Sequence, residues 1–488
     1  YGDHRDLHLS IRRQRQMCIR DSVEELPAEL DAHHAFERLA DLPHAVFFDS
    51  ARRHEKLGRY SYVAADPFDF LLLPARSQGA FEAIAARLRP FRASTAPGLP
   101  PFQGGAAGLC GYDVGRQLER LPSPKWDEFR VPAFAVGLYD TVAAFDHQEG
   151  RGWLISHGFP VLDAARQRAR AAHRLAEFLA RLIAPRVSSS RQIVAEESLA
   201  ASNLAPQFEV PGVTLLTSNF AADDYLRAVD RAVEYVLAGD IFQVNLSQRL
   251  LHPATCDALA LYRRLRTINP GTFAGYFDLG ANQILSASPE RFLQVLDGQV
   301  EARPIKGTRR RTAQPEADLF AGDDLLQSEK DRAENIMIVD LLRNDLSRTC
   351  LVDSVQVRQL CGLEVYEHVQ HLVSVIHGQL RPESTPLDLL RCAFPGGSIT
   401  GAPKARAMEI IAELEPTARG PYCGSLFYNG FDDAFDANIL IRTITAGRGW
   451  WQAQAGGGIV AMSDARREYE ETWHKAEGLV RAMLSAST

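Results

Sequence analysis

The sequence predicts a globular protein whose core is built from both helices and strands. Hydrophobic residues make up 46% of its 488 residues, enough to bury a large core. Short helical and strand-like patterns alternate through residues 23–185. Two strand-like runs, 291–296 and 299–304, flank Asp297-Gly298, a dipeptide typical of tight hairpins, so part of the sheet structure should be antiparallel. No run reaches the roughly 18 apolar residues of a membrane span, so we expect no membrane association.

Four segments are expected along the chain. Residues 1–22 are interpreted as a non-native leader, because position 1 is not Met and RQRQMCIRDS (13–22) resembles a translated sequencing adapter. Residues 23–185 form an N-terminal region. Residues 186–215 are polar and serine-rich without clear periodicity, which predicts a linker. Residues 216–488 hold nearly all the distinctive motifs and are predicted to be the catalytic domain.

Within the N-terminal region the patterns change repeatedly from helical to strand-like. They predict helices at 27–42, 81–91 and 161–183, and strands at 60–65 and within 133–147. Between them, GGAAGLCGYD (104–113) is interpreted as a glycine-rich bend.

The catalytic domain begins with a predicted helix (222–240) that ends at a glycine, followed by a strand (241–251). Two further helices are predicted at 328–348 and 463–484. Because the first of these is apolar nearly all round between Ile336 and Leu342, it should be buried.

The hairpin places a glutamate and a lysine near one of its ends. With a three-residue loop, Val295 would pair with Gln299, and Glu290 and Lys306 would share a face as diagonal neighbours. A two-residue loop would instead put them on opposite faces. An acid beside an amine suits a reaction in which the amine attacks while the carboxyl protonates a leaving oxygen. The alternative is an exposed cross-strand salt bridge, worth about 1 kcal/mol at most.

Acidic pairs occur on both late helices. Asp331 and Glu334 lie at i, i+3, and Glu468, Glu471 and Lys475 share one face of the last helix. Two carboxylates about 5 Å apart repel by about 3 kcal/mol at an effective dielectric of 20, so four in one buried site would require a cation. Oxygen donors from separate helices suit Mg²⁺. The alternative is two solvated helix faces.

Several other classes of function are disfavoured. The formal net charge of -7 gives no reason to expect nucleic acid binding. Seven scattered cysteines without ligand spacing indicate a reducing compartment, so we expect a cytoplasmic protein. GGSITGAPK (396–404) has P-loop glycines, but Ala402-Pro403 stand where the phosphate-binding Lys and Ser/Thr belong. Cys110 lacks the glutaminase motif and is expected to be a packed residue.

Five motifs occur together in the catalytic domain. They are SASPERF (286–292), RPIKGTRRR (303–311), EKDRAENIMIVDLLRND (329–345), FPGGSITGAPK (394–404) and GGGIVAMSDARREYEETWHKA (456–476). In this combination and order the chain closely resembles the chorismate-utilising enzymes. The resemblance implies an α+β fold with two packed antiparallel β-sheets and surrounding helices. It also implies that residues 23–185 complete one of these sheets.

Lys306 distinguishes two branches of that family. Anthranilate synthases resemble P-I-A-G-T at this point, whereas P-I-K-G-T, present here, resembles the aminodeoxychorismate synthase component I branch. The resemblance implies that Lys306 attacks C2 of chorismate and that Glu290 protonates the departing C4 hydroxyl. Ammonia then adds at C4 and expels the lysine, giving 4-amino-4-deoxychorismate, a precursor of 4-aminobenzoate and folate.

The remaining site residues follow from the same resemblance. Glu334 and Glu471 would bind Mg²⁺, with Asp331 and Glu468 supporting it through water. Tyr422 and Arg442 would bind the pyruvyl carboxylate, and the backbone amides of Gly456, Gly457 and Gly458 can approach an anion closely. His371 matches an active-site histidine, and Ser398 and Lys475 match substrate contacts. Gln243 stands where water-using relatives carry a lysine, which favours ammonia as the nucleophile.

The resemblance also implies a partner, a glutamine amidotransferase subunit that supplies ammonia. Two alternatives remain open. One is an anthranilate synthase component I, which shares every motif except the lysine. The other is a non-catalytic subunit that senses tryptophan or docks the amidotransferase; Glu290, Lys306, Glu334 and Glu471 argue against it, since all four are present.

Overall fold

The structure, a computed structural model, describes residues 22–53, 57–184, 198–312, 314–365 and 369–485. The predicted leader, except Ser22, and most of the first half of the predicted linker lie outside these ranges. The four segment boundaries therefore stay predictions. Among the described residues, no helix is both long and apolar enough to cross a membrane.

Eleven α-helices occur in the described residues. They are α1 (Ala32–Leu39), α2 (Ala80–Leu88), α3 (Gly115–Leu118), α4 (Ala164–Ile183), α5 (Ala222–Leu237), α6 (Ala258–Ile268), α7 (Pro315–Gln327), α8 (Glu329–Ser347), α9 (Pro386–Ala393), α10 (Lys404–Leu414) and α11 (Ala465–Leu484). Short 3₁₀ turns cover Tyr112–Val114, Ala201–Asn203 and Gly397–Ile399.

Twenty-three strands are described, and they form two sheets. In chain order they are β1 (Val23–Glu25), β2 (Val46–Asp49), β3 (Tyr60–Ala64), β4 (Asp69–Leu73), β5 (Gly105–Cys110), β6 (Phe134–Tyr139), β7 (Thr141–Asp146), β8 (Arg151–Ser156), β9 (Phe208–Glu209), β10 (Thr217–Ser218), β11 (Gln243–Pro253), β12 (Ala274–Asp278), β13 (Asn282–Ser286), β14 (Arg291–Leu296), β15 (Gln299–Ala302), β16 (Ile305–Arg310), β17 (Gln356–Val365), β18 (Val369–Gln379), β19 (Gly401–Ala402), β20 (Ser425–Gly430), β21 (Phe435–Asn438), β22 (Thr443–Gly447) and β23 (Trp450–Ile459).

The first sheet has 13 strands in the order β1-β8-β7-β3-β2-β12-β13-β22-β23-β11-β10-β9, with β19 paired to β11. The second has 10 strands in the order β16-β18-β15-β14-β21-β20-β5-β6-β4, with β17 paired to β18. A core that includes Val46, Phe277, Leu109 and Tyr428 joins the two sheets, and helices cover their other faces. The predicted α+β class with two packed antiparallel sheets is confirmed.

The N-terminal region is built into both sheets. Strands β1–β3, β7 and β8 belong to the first sheet, whereas β4–β6 belong to the second. The expectation that residues 23–185 complete one sheet was therefore too narrow. The described end of the predicted linker is packed, because Leu199 and Leu204 are buried against Phe129 and Leu251.

Two local predictions were wrong. The glycine-rich segment 104–113 is not a bend but contains β5, a wholly buried strand between β6 and β20. Its glycines allow neighbouring backbones to approach, since a Cβ at Gly108 would lie 2.1 Å from the carbonyl oxygen of Ala135. Helix α8 is buried on one face only: Ile338 and Leu342 are covered, but Ile336 is exposed.

Candidate active site

The predicted acid and amine meet at the 3₁₀ turn Gly397–Ile399. The Ser398 hydroxyl donates to Glu290 Oε1 over 3.4 Å, and Lys306 Nζ donates to the Ser398 carbonyl oxygen over 3.4 Å. One residue of the FPGGSITGAPK motif thus contacts both groups. Glu290 immediately precedes β14, and Lys306 lies in β16. A turn from a distant part of the chain therefore bridges them.

The hairpin does not bring them together in the way we expected. Leu296 pairs with Gln299 and Val295 with Val300, so the loop is the two-residue turn Asp297-Gly298, both with positive φ. The predicted three-residue loop was wrong. Continued in register, this hairpin would place the acid and the amine on opposite faces. Instead β15 ends at Ala302. The chain continues as β16, which pairs with β18, the same strand that β15 pairs with.

Glu290 is held as a weak acid in a buried position. Only 7% of the residue is exposed, and burial raises the pKa of its carboxyl to about 7, although Lys306, Ser398 and the backbone of Ile305 oppose the rise. A carboxyl with this pKa keeps a proton at neutral pH for a substantial fraction of the time. It therefore has the property needed to protonate a leaving group.

Lys306 is partly buried, and its pKa is lowered. Burial is the main cause, the positive charge of Lys475 adds to it, and the carboxylates of Glu334 and Glu290 oppose it. A lowered pKa increases the fraction of free amine, the form that can act as a nucleophile. The site thus raises the pKa of the acid and lowers the pKa of the amine, the directions that the predicted roles require.

The carboxylates of α8 and α11 face this pair. Ser328 and Asp464 cap the two helices, accepting from the backbone N–H groups of Asp331 and Arg467. Asn335 fixes α8 to the second sheet by donating to the Leu372 carbonyl oxygen over 3.3 Å. On this side of α8, burial raises the pKa of Glu334, and the charges of Asp331 and Glu471 add to the effect.

Helix α11 lies against the three glycines of β23. Lys475 Nζ donates to the Gly456 carbonyl oxygen over 2.9 Å. A Cβ added at Gly457 would lie 3.3 Å from Glu468 Oε2 and 3.6 Å from both Glu471 Oε1 and Lys475 Nζ. Gly457 thus lies directly beside all three charged groups, with little space for a side chain between them.

The four predicted metal ligands are not equivalent. The charge of Glu471 helps to raise the pKa of Glu334. Glu468 is buried and accepts a hydrogen bond from Ser463 over 2.7 Å, while Asp331 forms an ion pair with Arg309 at 3.4 Å. In the described part of the chain no three acidic, His or Cys side chains form a ready-made metal cluster. The oxygen donors still fit Mg²⁺, which usually takes one or two carboxylates and completes its shell with water and substrate.

A cationic area adjoins Glu290 on its other side. Burial lowers the pKa of Arg442, and the charge of Arg52 adds to this, while Glu290 opposes it. Burial also lowers the pKa of His371 to about 4, with Arg442 and Arg52 contributing, so this imidazole is neutral at neutral pH. His371 lies on β18 at the bulge where Gly307 adopts φ 73°.

Two other predicted residues lie deeper. Tyr422 is buried, with the Arg419 guanidinium 5.7 Å from its ring centroid. Gln243 is fully buried beside Gly458, and neither atom of its amide has a hydrogen-bond partner among the described residues. For all of these residues the structure gives a position, and their roles stay predictions.

Two charged residues near the site were not predicted from the sequence. Lys330 Nζ lies 3.9 Å from Glu468 Oε1, and its charge acts on Glu334 and Glu471. Arg52 comes from the N-terminal region, more than 200 residues from the site motifs. Lys330 lies inside the motif EKDRAEN, which could have drawn attention to it, whereas nothing in the sequence links Arg52 to Arg442.

Comparisons with known proteins identify a family and several similar chains. Residues 47–481 match the family described as chorismate binding enzyme. Anthranilate synthase component 1 of Thermus thermophilus is 42% identical over 80% of this chain and 79% of its own length. Aminodeoxychorismate synthase component 1 of Salmonella typhimurium is 38% identical over 95% of this chain and 98% of its own. Among solved structures, anthranilate synthase component I of Streptococcus pneumoniae has a TM-score of 0.72 at 30% identity, covering 88% of this chain and 94% of that one.

Proposed function

The chain belongs to the chorismate-binding enzymes and acts on chorismate, and we propose that it makes 4-amino-4-deoxychorismate from chorismate and ammonia. The observation that carries this proposal is Lys306. Lys306 lies beside Glu290, and burial lowers the pKa of this lysine. At the same position the anthranilate-forming branch is expected to have alanine. Overall similarity does not separate the two products, because relatives named for each match this chain comparably.

In the proposed first step, the Lys306 amine attacks C2 of chorismate. The new N–C2 bond forms as both conjugated ring double bonds shift, one to C1–C6 and the other to C4–C5, and the C4–O bond breaks. The leaving oxygen takes the proton of Glu290 and departs as water. The pKa of Glu290, raised to about 7, and the lowered pKa of Lys306 favour the two forms that this step uses.

In the second step ammonia forms a bond to C4, both ring double bonds shift back to C5–C6 and C1–C2, and the C2–N bond to Lys306 breaks. Lys306 leaves as a free amine. The new ammonium at C4 returns a proton to Glu290, which restores both residues. The reaction as a whole consumes chorismate and ammonia and yields 4-amino-4-deoxychorismate and water.

We further propose that Glu334 and Glu471 hold Mg²⁺, with Asp331 and Glu468 acting through water. When bound, the ion would neutralise the ring carboxylate of chorismate. Arg442 and Tyr422 would bind the pyruvyl carboxylate, and the amides of Gly456, Gly457 and Gly458 would support an anion. Ser398 and Lys475 would contact the substrate, while His371 would act as a neutral hydrogen-bonding group.

A glutamine amidotransferase subunit is the proposed source of ammonia in the cytoplasm. Cys110, the cysteine whose surroundings superficially resemble a glutaminase site, is buried in β5, and burial raises its pKa well above the usual value. A buried, protonated thiol is a poor nucleophile. The purified chain should therefore use ammonium salts but not glutamine. Glutamine-dependent turnover by the isolated chain would refute this part of the proposal.

Product analysis tests the main proposal. The purified chain would be given chorismate, Mg²⁺ and an ammonium salt, with and without an added 4-amino-4-deoxychorismate lyase. We expect no fluorescent anthranilate in either case, and 4-aminobenzoate only when the lyase is present. Anthranilate as the main product would identify the chain as an anthranilate synthase component instead. A chain that binds chorismate without turning it over would be a non-catalytic subunit.

A further inference from the structure

Arg52 follows β2 and is anchored next to the strand that leads to Glu290. Its backbone N–H donates to the Gly271 carbonyl oxygen over 3.0 Å. Gly271 in turn packs so closely on the segment before Glu290 that an added Cβ would lie 2.5 Å from the Ser288 carbonyl oxygen. The N–H of Ala287 donates to the Arg442 carbonyl oxygen over 3.0 Å. The backbones of Arg52 and Arg442 are thus joined through Gly271 and the segment Ala287-Ser288.

One nitrogen at the end of the Arg52 side chain is buried without a partner. This atom, Nη2, is inaccessible to solvent and makes no hydrogen bond to any residue that the structure describes. Its charge acts on Arg442 and on His371, so the guanidinium is directed towards the cationic side of the site. A long arginine side chain without such a purpose would normally place its charge in water.

We propose that Arg52 is a second substrate-binding arginine, which joins Arg442 in binding a carboxylate of the dicarboxylate substrate. This role rests on the proposed function, in which Arg442 binds that carboxylate. It would make the N-terminal region a part of the active site.

Charge balance supports this assignment. The guanidinium groups of Arg52 and Arg442 act on each other as like charges, and the charge of Glu290 stabilises that of Arg442. Glu290 must be protonated to act as the proposed acid, and then it no longer offsets their charge. A substrate carboxylate supplies the missing negative charge and accepts hydrogen bonds from the unpartnered Nη2. Guanidinium groups bind carboxylates in a planar, often bidentate, geometry that suits this position.

The neighbouring residue provides a matched control. Arg53 lies on the same loop but is exposed, and its charge acts on His147 instead of the site. We would compare Arg52→Met, Arg52→Lys and Arg53→Met in steady-state assays of the full chain, varying chorismate and ammonium separately. Circular dichroism and thermal melting would show whether each variant is folded.

For Arg52→Met we expect the KM for chorismate to rise by about tenfold, a loss of about 1.4 kcal/mol of binding. The KM for ammonium and the identity of the product should stay unchanged. Arg52→Lys should recover part of the loss, and Arg53→Met should match the wild type. Chorismate should also raise the melting temperature of Arg52→Met less than that of the wild type.

Three results would overturn the proposal. A folded Arg52→Met with a chorismate KM within twofold of the wild type would refute the role of Arg52 alone. If Arg52→Met does not fold, Arg52→Lys and Arg52→Gln would be measured instead. A wild-type KM for chorismate in both folded variants would also refute the role of Arg52. A wild-type chain that leaves chorismate unchanged would refute the proposed function, and this role with it.

Discussion

The site contains two carboxylate–lysine pairs that differ in their surroundings. Glu471 and Lys475 lie one helical turn apart on α11, with Oε1 and Nζ 2.6 Å apart and side chains 50% and 42% exposed. Glu290 and Lys306 come from separate strands, meet at Ser398, and leave only 7% of Glu290 exposed. The two glutamates respond in opposite directions. Burial would raise the pKa of Glu471, but the charge and hydrogen bond of Lys475 hold it below the ordinary value, whereas that of Glu290 rises to about 7.

This difference teaches that closeness to a lysine does not decide what a carboxylate can do. Where water and a direct ion pair remain, the carboxylate stays charged and is available to a cation. Where burial dominates, the same chemical pair shifts towards a protonated carboxyl and a free amine. Substitutions at five residues of the site would test this comparison.

The largest effect is expected from Lys306→Arg, which keeps the positive charge but cannot act as an amine nucleophile. We expect turnover to fall by at least about 1,000-fold, equivalent to about 4 kcal/mol in the barrier. Lys306→Ala should direct any residual amination towards the anthranilate-type C2 position. Mass spectrometry of the wild type with chorismate and Mg²⁺, without ammonia, should show an adduct on Lys306. Near-normal turnover by Lys306→Arg would return this lysine to an electrostatic role.

Glu290→Gln should reduce turnover by about 100-fold, the usual contribution of a general acid. The wild type should also lose kcat/KM as the pH rises through about 7, because the raised pKa means that Glu290 gives up its proton there. This fall should be absent from the residual activity of Glu290→Gln. Lys306 contributes on the acidic side, since its amine must lose a proton, and the two groups titrate as a coupled pair. An unchanged high-pH limb in Glu290→Gln would contradict the assignment.

Glu334→Gln and Glu471→Gln should each lower activity by about tenfold or more and raise the Mg²⁺ concentration needed for half-maximal rate. Glu470→Gln is the matched control, because Glu470 is an exposed neighbour on α11. Titration of activity with Mg²⁺ and circular dichroism would separate loss of the ion from loss of structure. Full activity with unaltered magnesium dependence in both variants would show that the ligands are elsewhere.

The smallest effect is expected on stability from breaking the exposed pair. Lys475→Met should lower the free energy of unfolding by about 1.5 kcal/mol at most, because it removes an exposed i, i+4 pair and one hydrogen bond to the Gly456 carbonyl oxygen. Urea denaturation of the full chain would measure it. A change of several kcal/mol would mean that this pair, like Glu290 and Lys306, depends on burial.

The sequence by itself determined the features that depend on neighbours along the chain. Helical patterns predicted α4, α5, α8 and α11, with a terminal glycine for α5, and strand-like patterns predicted β3 and β11. The five motifs identified the family and most of the residues that the fold brings together. These signals are local, or lie within one continuous motif, and can be read without knowing which strands pair.

Only the tertiary structure decided the rest, because pairing between distant strands overrides local preference. The segment 104–113 is glycine-rich and resembles a bend until β6 and β20 enclose it as β5. A one-residue difference in the hairpin loop changes which face every side chain occupies, and the two-residue loop that is present does not explain why Glu290 and Lys306 meet. That contact depends on a turn about a hundred residues away, and the position of Arg52 depends on Gly271, which lies far along the chain in the segment just before β12. Contacts of this kind are set by the packing of two whole sheets, which no short stretch of sequence encodes.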